Sequence, residues 1–316
     1  MMLPDMTTEF PGAPGYLNTA SIGLPPRRSV NALQSAIADW QNGAAQAPEY
    51  DAAVGASREL FAGLVGAPVS AVAVGNQVSA LVGLAATALE PGDAVLCPEG
   101  EFTSVTFPFL ARGDLEVTEV PLNSLADSIS SNTALVACSA VQSATGQIAD
   151  LPAIREAAAT VGARTLIDAT QAAGWFPLDA SLYDVTVTGT YKWLLSPRGT
   201  AFMTVGSGMQ ELMQPVYAGW YAGESVWDSI YGLPLRLAAD ARQFDLSPAW
   251  LNWVGTAPAL ELIADIGVGA INAHNVELAD TLLTELDQEP VSYTHLTLPT
   301  TGIRWWGGGG GGGGGG

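Results

Sequence analysis

The 316-residue chain contains one lysine, Lys192, so chemistry that needs a side-chain amine has a single place to occur. Lys192 stands in DVTVTGTYKWLLSPRG, next to Thr190 and Tyr191, in the loop after a short apolar run. An amine partly withdrawn from water near a strand tip has a depressed pKa and acts as a nucleophile toward a carbonyl carbon. A second apolar run ends on Asp168 in TLIDATQAAG, with Gln171 three residues on. A carboxylate at the end of a buried strand is poorly solvated and calls for a cationic partner. A third segment, AVAVGNQVSALVGL, passes through Gly75 and Asn76 into a helix starting near Gln77. Free backbone N–H groups and the helix dipole make such a start a seat for phosphate. Each segment also has a plainer reading: Asp168 as a helix cap, Gly75 and Asn76 as a turn, Lys192 as a solvated surface lysine.

These groups can act together only if the elements around them bring them to one place. Helical patterns at 27–42 and 49–66 are followed by short apolar runs at 71–74, 94–97, 116–120, 134–138, 165–168, 184–188 and 201–205. Between them lie helical stretches from Gln77 to Leu89, from Thr103 to Ala111 and at 152–161, and from about 207 helices are expected to dominate, ending in a long pair at 249–267 and 269–287. The alternation predicts an α/β fold: βαβ units and a mainly parallel sheet of the seven-stranded type, sandwiched by helices. Ligands of such sheets bind outside the carboxyl ends of the strands, where all three segments point. The first strand is not followed by G-x-G-x-x-G, so a nicotinamide or flavin oxidoreductase lacks its fingerprint.

Composition narrows the partners. An apolar content of 48% builds a sizeable core, and a formal net charge of −20 leaves no basic stripe for nucleic acid or an anionic membrane. Cys97 and Cys138 lie in apolar strand-like runs without zinc or disulfide spacing, so a reducing cytoplasm is expected. His274 sits in a helical pattern and His295 near the end, which leaves little material for a histidine metal site or a Ser-His-Asp triad. No metal is expected.

From Val291 the character of the chain changes to VSYTHLTLPTTGIRWW followed by ten glycines, Gly307 to Gly316. The first ten residues match the translation of a short-read library adapter, and the glycines a translated homopolymer of G. A flexible glycine-rich linker is the plainer reading, but it has no use for the residues before it. The expected organisation is an extended N-terminal segment at 1–25, a cofactor-binding large domain at 26–268, the start of a truncated C-terminal small domain at 269–289, and a foreign tail at 290–316.

A carboxylate for a ring nitrogen, an amine for an aldehyde and a helix start for a phosphate are the three handles of pyridoxal 5'-phosphate. On the segments LIDATQAAGWFPLD and GTYKWLLSPRGTAF the chain resembles the fold-type I pyridoxal-phosphate enzymes of aminotransferase class V, which include cysteine desulfurases, kynureninases and isopenicillin N epimerase-like proteins. The resemblance runs over essentially all of 16–289. It implies Lys192 as the Schiff-base lysine and Cα proton carrier, Asp168 as partner of the pyridine nitrogen and Gln171 as donor to the phenolic oxygen. It also implies phosphate contacts from Gln77, Val78, Tyr191 and Thr190, and a polar residue after the fourth strand, Gln142 or Ser143, near cofactor and substrate. Phe102 in PEGEFTS matches a ring-stacking position, with an ordinary core phenylalanine as the plainer reading. Trp220 in YAGWYAG and Ser247 in DLSP match positions that reach the cofactor of a partner subunit, which implies a homodimer with shared sites. Asn18, Ser143 and Arg198 are the expected substrate contacts.

The implied function is a transferase or lyase acting on an amino acid or amine, by transamination, epimerisation or C–S or C–C cleavage. A loop cysteine or carboxylate-binding arginine of the family would lie past residue 289. The other reading is a non-catalytic, truncated protein of the same fold.

Overall fold

The structure is a computed structural model that describes residues 6–12 and 15–287. The expected tail at 290–316 lies outside the described residues. Two helices open the fold, α1 (Arg27–Gln41) and α2 (Ala47–Leu64). Pro48 in the first turn of α2 gives up an N–H that would have no partner anyway, and Glu49 complements the helix dipole. Its buried residues, Val54, Ser57, Arg58, Phe61 and Ala62, recur at the three- and four-residue spacing of one helix face.

There follow β1 (Val72–Gly75), α3 (Val78–Ala86), β2 (Ala94–Pro98), α4 (Thr103–Arg112), β3 (Glu116–Val120), a single turn α5 (Leu125–Ser128), β4 (Thr133–Ser139), α6 (Leu151–Val161), β5 (Arg164–Asp168), β6 (Val185–Gly189), β7 (Ala201–Val205) and the short α7 (Ser207–Leu212). The seven strands form one sheet in the order β1-β7-β6-β5-β4-β2-β3. All neighbours are parallel except β7, which runs antiparallel to β1 and β6. Two antiparallel steps restore direction, so β1 points the same way as β6, and Gly75 and Gly189 both pair with Ala201. The carboxyl ends of β1, β4, β5 and β6 therefore meet along one edge. The central strands β5, β6 and β7 are buried almost throughout, while the edge strand β3 is largely exposed, as its EVTEV sequence requires.

One core lies between the sheet and the layer of α2 and α8 (Trp250–Ile266), where the Phe61 and Phe202 rings stack at 4.1 Å and Trp253 meets Phe202 edge-on at 5.2 Å. The other face packs α3 and α4 through Leu81, Leu84 and Phe109. The last helix, α9 (Val268–Asp287), leaves α8 at a bend of 77° beside Gly267. No single helix among the described residues is long and apolar enough to cross a membrane.

The α/β alternation and the mainly parallel sheet read from the sequence are what the structure contains. The stretch from Met213 to Ala249 differs from the expectation of dominant helix. It holds only single 3-10 turns at Trp220–Ala222, Trp227–Ser229 and Ala241–Phe244. Pro215, Gly219, Gly223, Gly232 and Pro234 break any longer helix there. The stretch is fastened by buried charge instead: Arg58 of α2 pairs with Asp245 at 2.6 Å, and the same carboxylate accepts the Val74 N–H at 2.8 Å. Burial pushes the Asp245 carboxyl up to about 6, against the attraction of Arg58.

Removing one member of this pair leaves a charge in the core with no counter-ion. Arg58→Met is expected to cost about 3–5 kcal/mol of stability in urea unfolding. A change within about 0.5 kcal/mol would show that the pair does not fasten the segment.

Candidate active site

Asp168 is the last residue of β5 and is 4% exposed. Its Oδ1 accepts the Thr170 N–H at 2.8 Å. Burial pushes this carboxyl upward, while the bonds from Thr170 and the positive charge of Lys192 pull it down. Thr170 also ties the next strand in place, since its Oγ1 accepts the Gly189 N–H at 2.9 Å. The tips of β5 and β6 are thus locked at the point where the amine must approach.

Lys192 lies three residues past β6 and is 7% exposed. Its loop turns through Leu195, whose N–H bonds the Lys192 carbonyl at 3.1 Å and whose φ of 54° is in the left-handed region. The N-terminal segment closes over this turn. Gly23 donates its N–H to the Tyr191 carbonyl at 2.8 Å, and a Cβ on Gly23 would lie 2.0 Å from the Lys192 carbonyl oxygen. Only glycine fits that approach. Burial lowers the Lys192 pKa; Asp168 raises it and Arg198 lowers it further. The amine sits 5.4 Å from the Phe102 ring centroid and 5.9 Å from that of Tyr191.

A cavity of about 270 Å³ opens between these groups, lined among others by Gln77, Val78, Phe102, Asp168, Tyr191 and Lys192. Its far wall is the start of α3. Gln77 precedes that helix without capping it through its side chain, so first-turn N–H groups are left for a ligand. A second cavity of about 610 Å³, which includes Asn18, shares Phe102, Ser143, Tyr191, Lys192 and Arg198 with the first. Arg198 stacks its guanidinium over the Tyr191 ring at 5.2 Å and forms no ion pair among the described residues.

The expected site residues separate into groups. Lys192, Asp168, Gln171, Gln77, Val78, Tyr191, Phe102, Ser143 and Arg198 all line the first cavity. Phe102 is 43% exposed, which sets aside the reading of an ordinary core phenylalanine. Gln171 is held on every side: Trp193 Nε1 donates to its Oε1 at 2.9 Å, and its Nε2 donates to the Ala20 carbonyl and to Ser143 Oγ at 3.0 and 3.2 Å. Gln142 turns away instead, donating to the Glu99 carbonyl and accepting from Thr145, both at 2.7 Å. Of the two alternatives after β4, Ser143 is therefore the one at the cavities. Thr190 is fully buried and spends its hydroxyl on Thr200, which lines the cavity in its place. Trp220 packs on Tyr221 and Trp227, and Ser247 is exposed; neither lines either cavity of its own chain.

Ser139, Thr170 and the buried Glu101 behind them escaped sequence reasoning. Ser139 closes an apolar strand and Thr170 sits between Asp168 and Gln171, so position relative to the strand ends was the available signal. Glu101 offered none.

The family model for aminotransferase class V matches residues 38–300, which carries the match past Val291. The uncharacterized aminotransferase YcbU of Bacillus subtilis is 31% identical over 230 residues, 69% of this chain and 60% of that protein. Isopenicillin N epimerase of Streptomyces clavuligerus is 28% identical over 265 residues, 73% of this chain and 64% of that protein. The chain thus spans less than two thirds of the length of either relative. Among solved structures, C-DES with glycine covalently linked to its PLP cofactor superposes with a TM-score of 0.82 at 20% identity, over 94% of this chain and 84% of that one. That likeness establishes the fold.

A single lysine makes its titration directly measurable. With ¹³C-labelled lysine incorporated throughout, the protein gives one lysine Cε signal, whose midpoint is expected below that of a free lysine. Asp168→Asn lowers it further by removing the charge that favours the ammonium, and Arg198→Ala raises it. An ordinary midpoint that neither substitution moves would contradict the electrostatics described here.

Proposed function

The chain belongs to the aminotransferase class-V family, and from that premise and the strand-end cavity we propose that it is a pyridoxal-phosphate enzyme acting on the amino group of an amino acid or amine, as a transferase or lyase. The observation that carries this reading is the only lysine of the chain, buried in one cavity with the carboxylate of Asp168 and the uncapped start of α3. The fit is chemical as well as spatial. Asp168 is a buried acid that lacks a hydrogen-bonded cation among the described residues, which suits a protonated ring nitrogen. The start of α3 suits a phosphate, and Gly189, which also lines the cavity, keeps space open between Val78 and Tyr191.

When bound, pyridoxal phosphate supplies an aldehyde carbon for an amine to condense with and a ring that takes up the electrons released at the substrate Cα. The residues of the chain do the rest. Lys192, uncharged at lower pH than a free lysine, would offer a nucleophilic Nζ and would take and return a proton at that atom. Asp168 would hold the positive charge of a protonated ring nitrogen. Gln77 and Val78 would hold the phosphate through their N–H groups, Phe102 would flank the ring, and Gln171 would offer its Nε2 donor if its bond to Ser143 gave way. Arg198, free of carboxylates at the shared lip of both cavities, takes the substrate carboxylate with Asn18 and Ser143 beside it. Trp220 and Ser247, outside their own cavity, fit a homodimer in which each serves the other subunit.

Incubation of the full chain with pyridoxal phosphate, then borohydride, is expected to leave a reduced pyridoxyl group on Lys192 in peptide mapping, and none in Lys192→Ala. The yield rises as pH passes the lowered lysine pKa, because the free base is the reacting form. A protein that takes no label at Lys192 overturns the reading. Arg198→Ala is expected to weaken the absorbance response to L-alanine about ten- to a hundredfold while leaving that to ethylamine alone. Equal losses for both would remove Arg198 from carboxylate binding.

A further inference from the structure

We propose that Glu101 is a positioning residue of this site, whose buried carboxylate ties Ser139 at the tip of β4 to Phe102 at the start of α4 and so holds the Phe102 ring against the Lys192 amine. Glu101 occupies the loop between β2 and α4. Gly100, at a φ of 70° that glycine adopts without strain, precedes it, and the Glu101 side chain is only 7% exposed. Its Oε2 accepts the Ser139 N–H at 2.7 Å, and its Oε1 accepts both the Ser139 hydroxyl and the Phe102 N–H at 2.6 Å. One carboxylate thus joins a strand end to a helix start.

Both ends of this brace reach the cavity. Ser139 pairs with Asp168 in the β4–β5 register and lines the first cavity; Phe102 lines both cavities and faces Lys192. Phe102 belongs to neither hydrophobic core cluster, and with 43% of it exposed there is little packing to place its ring. The bond from its N–H to Glu101 supplies the constraint that packing does not. The carboxylate makes no ion pair among the described residues, so neutral donors and the start of α4 support its charge. Glutamine keeps one acceptor oxygen where the carboxylate has two, so its NH₂ would face at least the Ser139 N–H and the brace would lose an acceptor.

The lone lysine again provides the readout, and cofactor is not needed. The ¹³C signals of Lys192 sense the ring current of Phe102, and Phe102→Ala marks their position without a ring. In the full-length apo protein, Glu101→Gln, which leaves the Ser139 N–H without its acceptor, is expected to move these signals part of the way to the Phe102→Ala position. Glu101→Asp, which keeps the charge but is one methylene shorter, moves them part of the way. Signals that stay at the wild-type position in Glu101→Gln overturn the proposal. If that variant does not fold by circular dichroism, Ser139→Ala, which removes one donor and no charge, is read the same way.

A second measurement rests on the cofactor reading above. Glu101→Gln is expected to weaken pyridoxal phosphate binding, followed by absorbance, about tenfold. Failure of the wild type to bind overturns the cofactor reading and leaves the apo signals to decide the role of Glu101. Normal binding with unmoved signals overturns the role of Glu101 alone.

Discussion

The amine of Lys192 and the carboxylate of Asp168, both nearly buried, line one cavity, and the rest of the site depends on that. Burial disfavours the charged form of both groups. Each is the other's electrostatic support, so neither can be withdrawn without shifting its partner's protonation. Such a balance makes the amine easier to deprotonate than a free lysine and leaves the carboxyl responsive to a nearby positive charge.

The sheet makes this pairing possible. A parallel run sends the ends of β4, β5 and β6 to one edge, and the antiparallel β7 lets β1 arrive at the same edge from the other side. Small groups then lock the tips: Thr170 to Gly189, Ser139 to Glu101, and Gly23 to Tyr191. None of these contacts contributes much alone. Together they bracket the lysine loop, which turns through Leu195 in the left-handed region.

Legibility in the sequence followed the range of the interactions involved. Strands and most helices were readable because their burial pattern repeats within a few residues; Asp150 capping α6 and Gly162 closing it are local signals of the same kind. The prolines and glycines between Met213 and Ala249 are a local signal against the expected helix, whereas what fastens that stretch, the Arg58–Asp245 pair, joins residues 187 apart in sequence and has no local signature. Gln142 and Ser143 were equivalent on paper. What separates them is that Gln142 finds the Glu99 carbonyl across the sheet edge while Ser143 finds Gln171.

The sequence by itself determined that the fold alternates strands and helices, that a single amine is available, and that a carboxylate and a helix start stand at strand ends to work with it. These follow from residue type and short-range periodicity. Only the tertiary structure decided which polar groups face the cavity and which are consumed as braces. Thr190 and Gln142 were drawn inward by partners, Phe102 was left uncovered, and Glu101 was turned toward Ser139. The reason is that a polar side chain's direction is set by the donor or acceptor it must satisfy once buried, and those partners come from strands and loops distant in sequence.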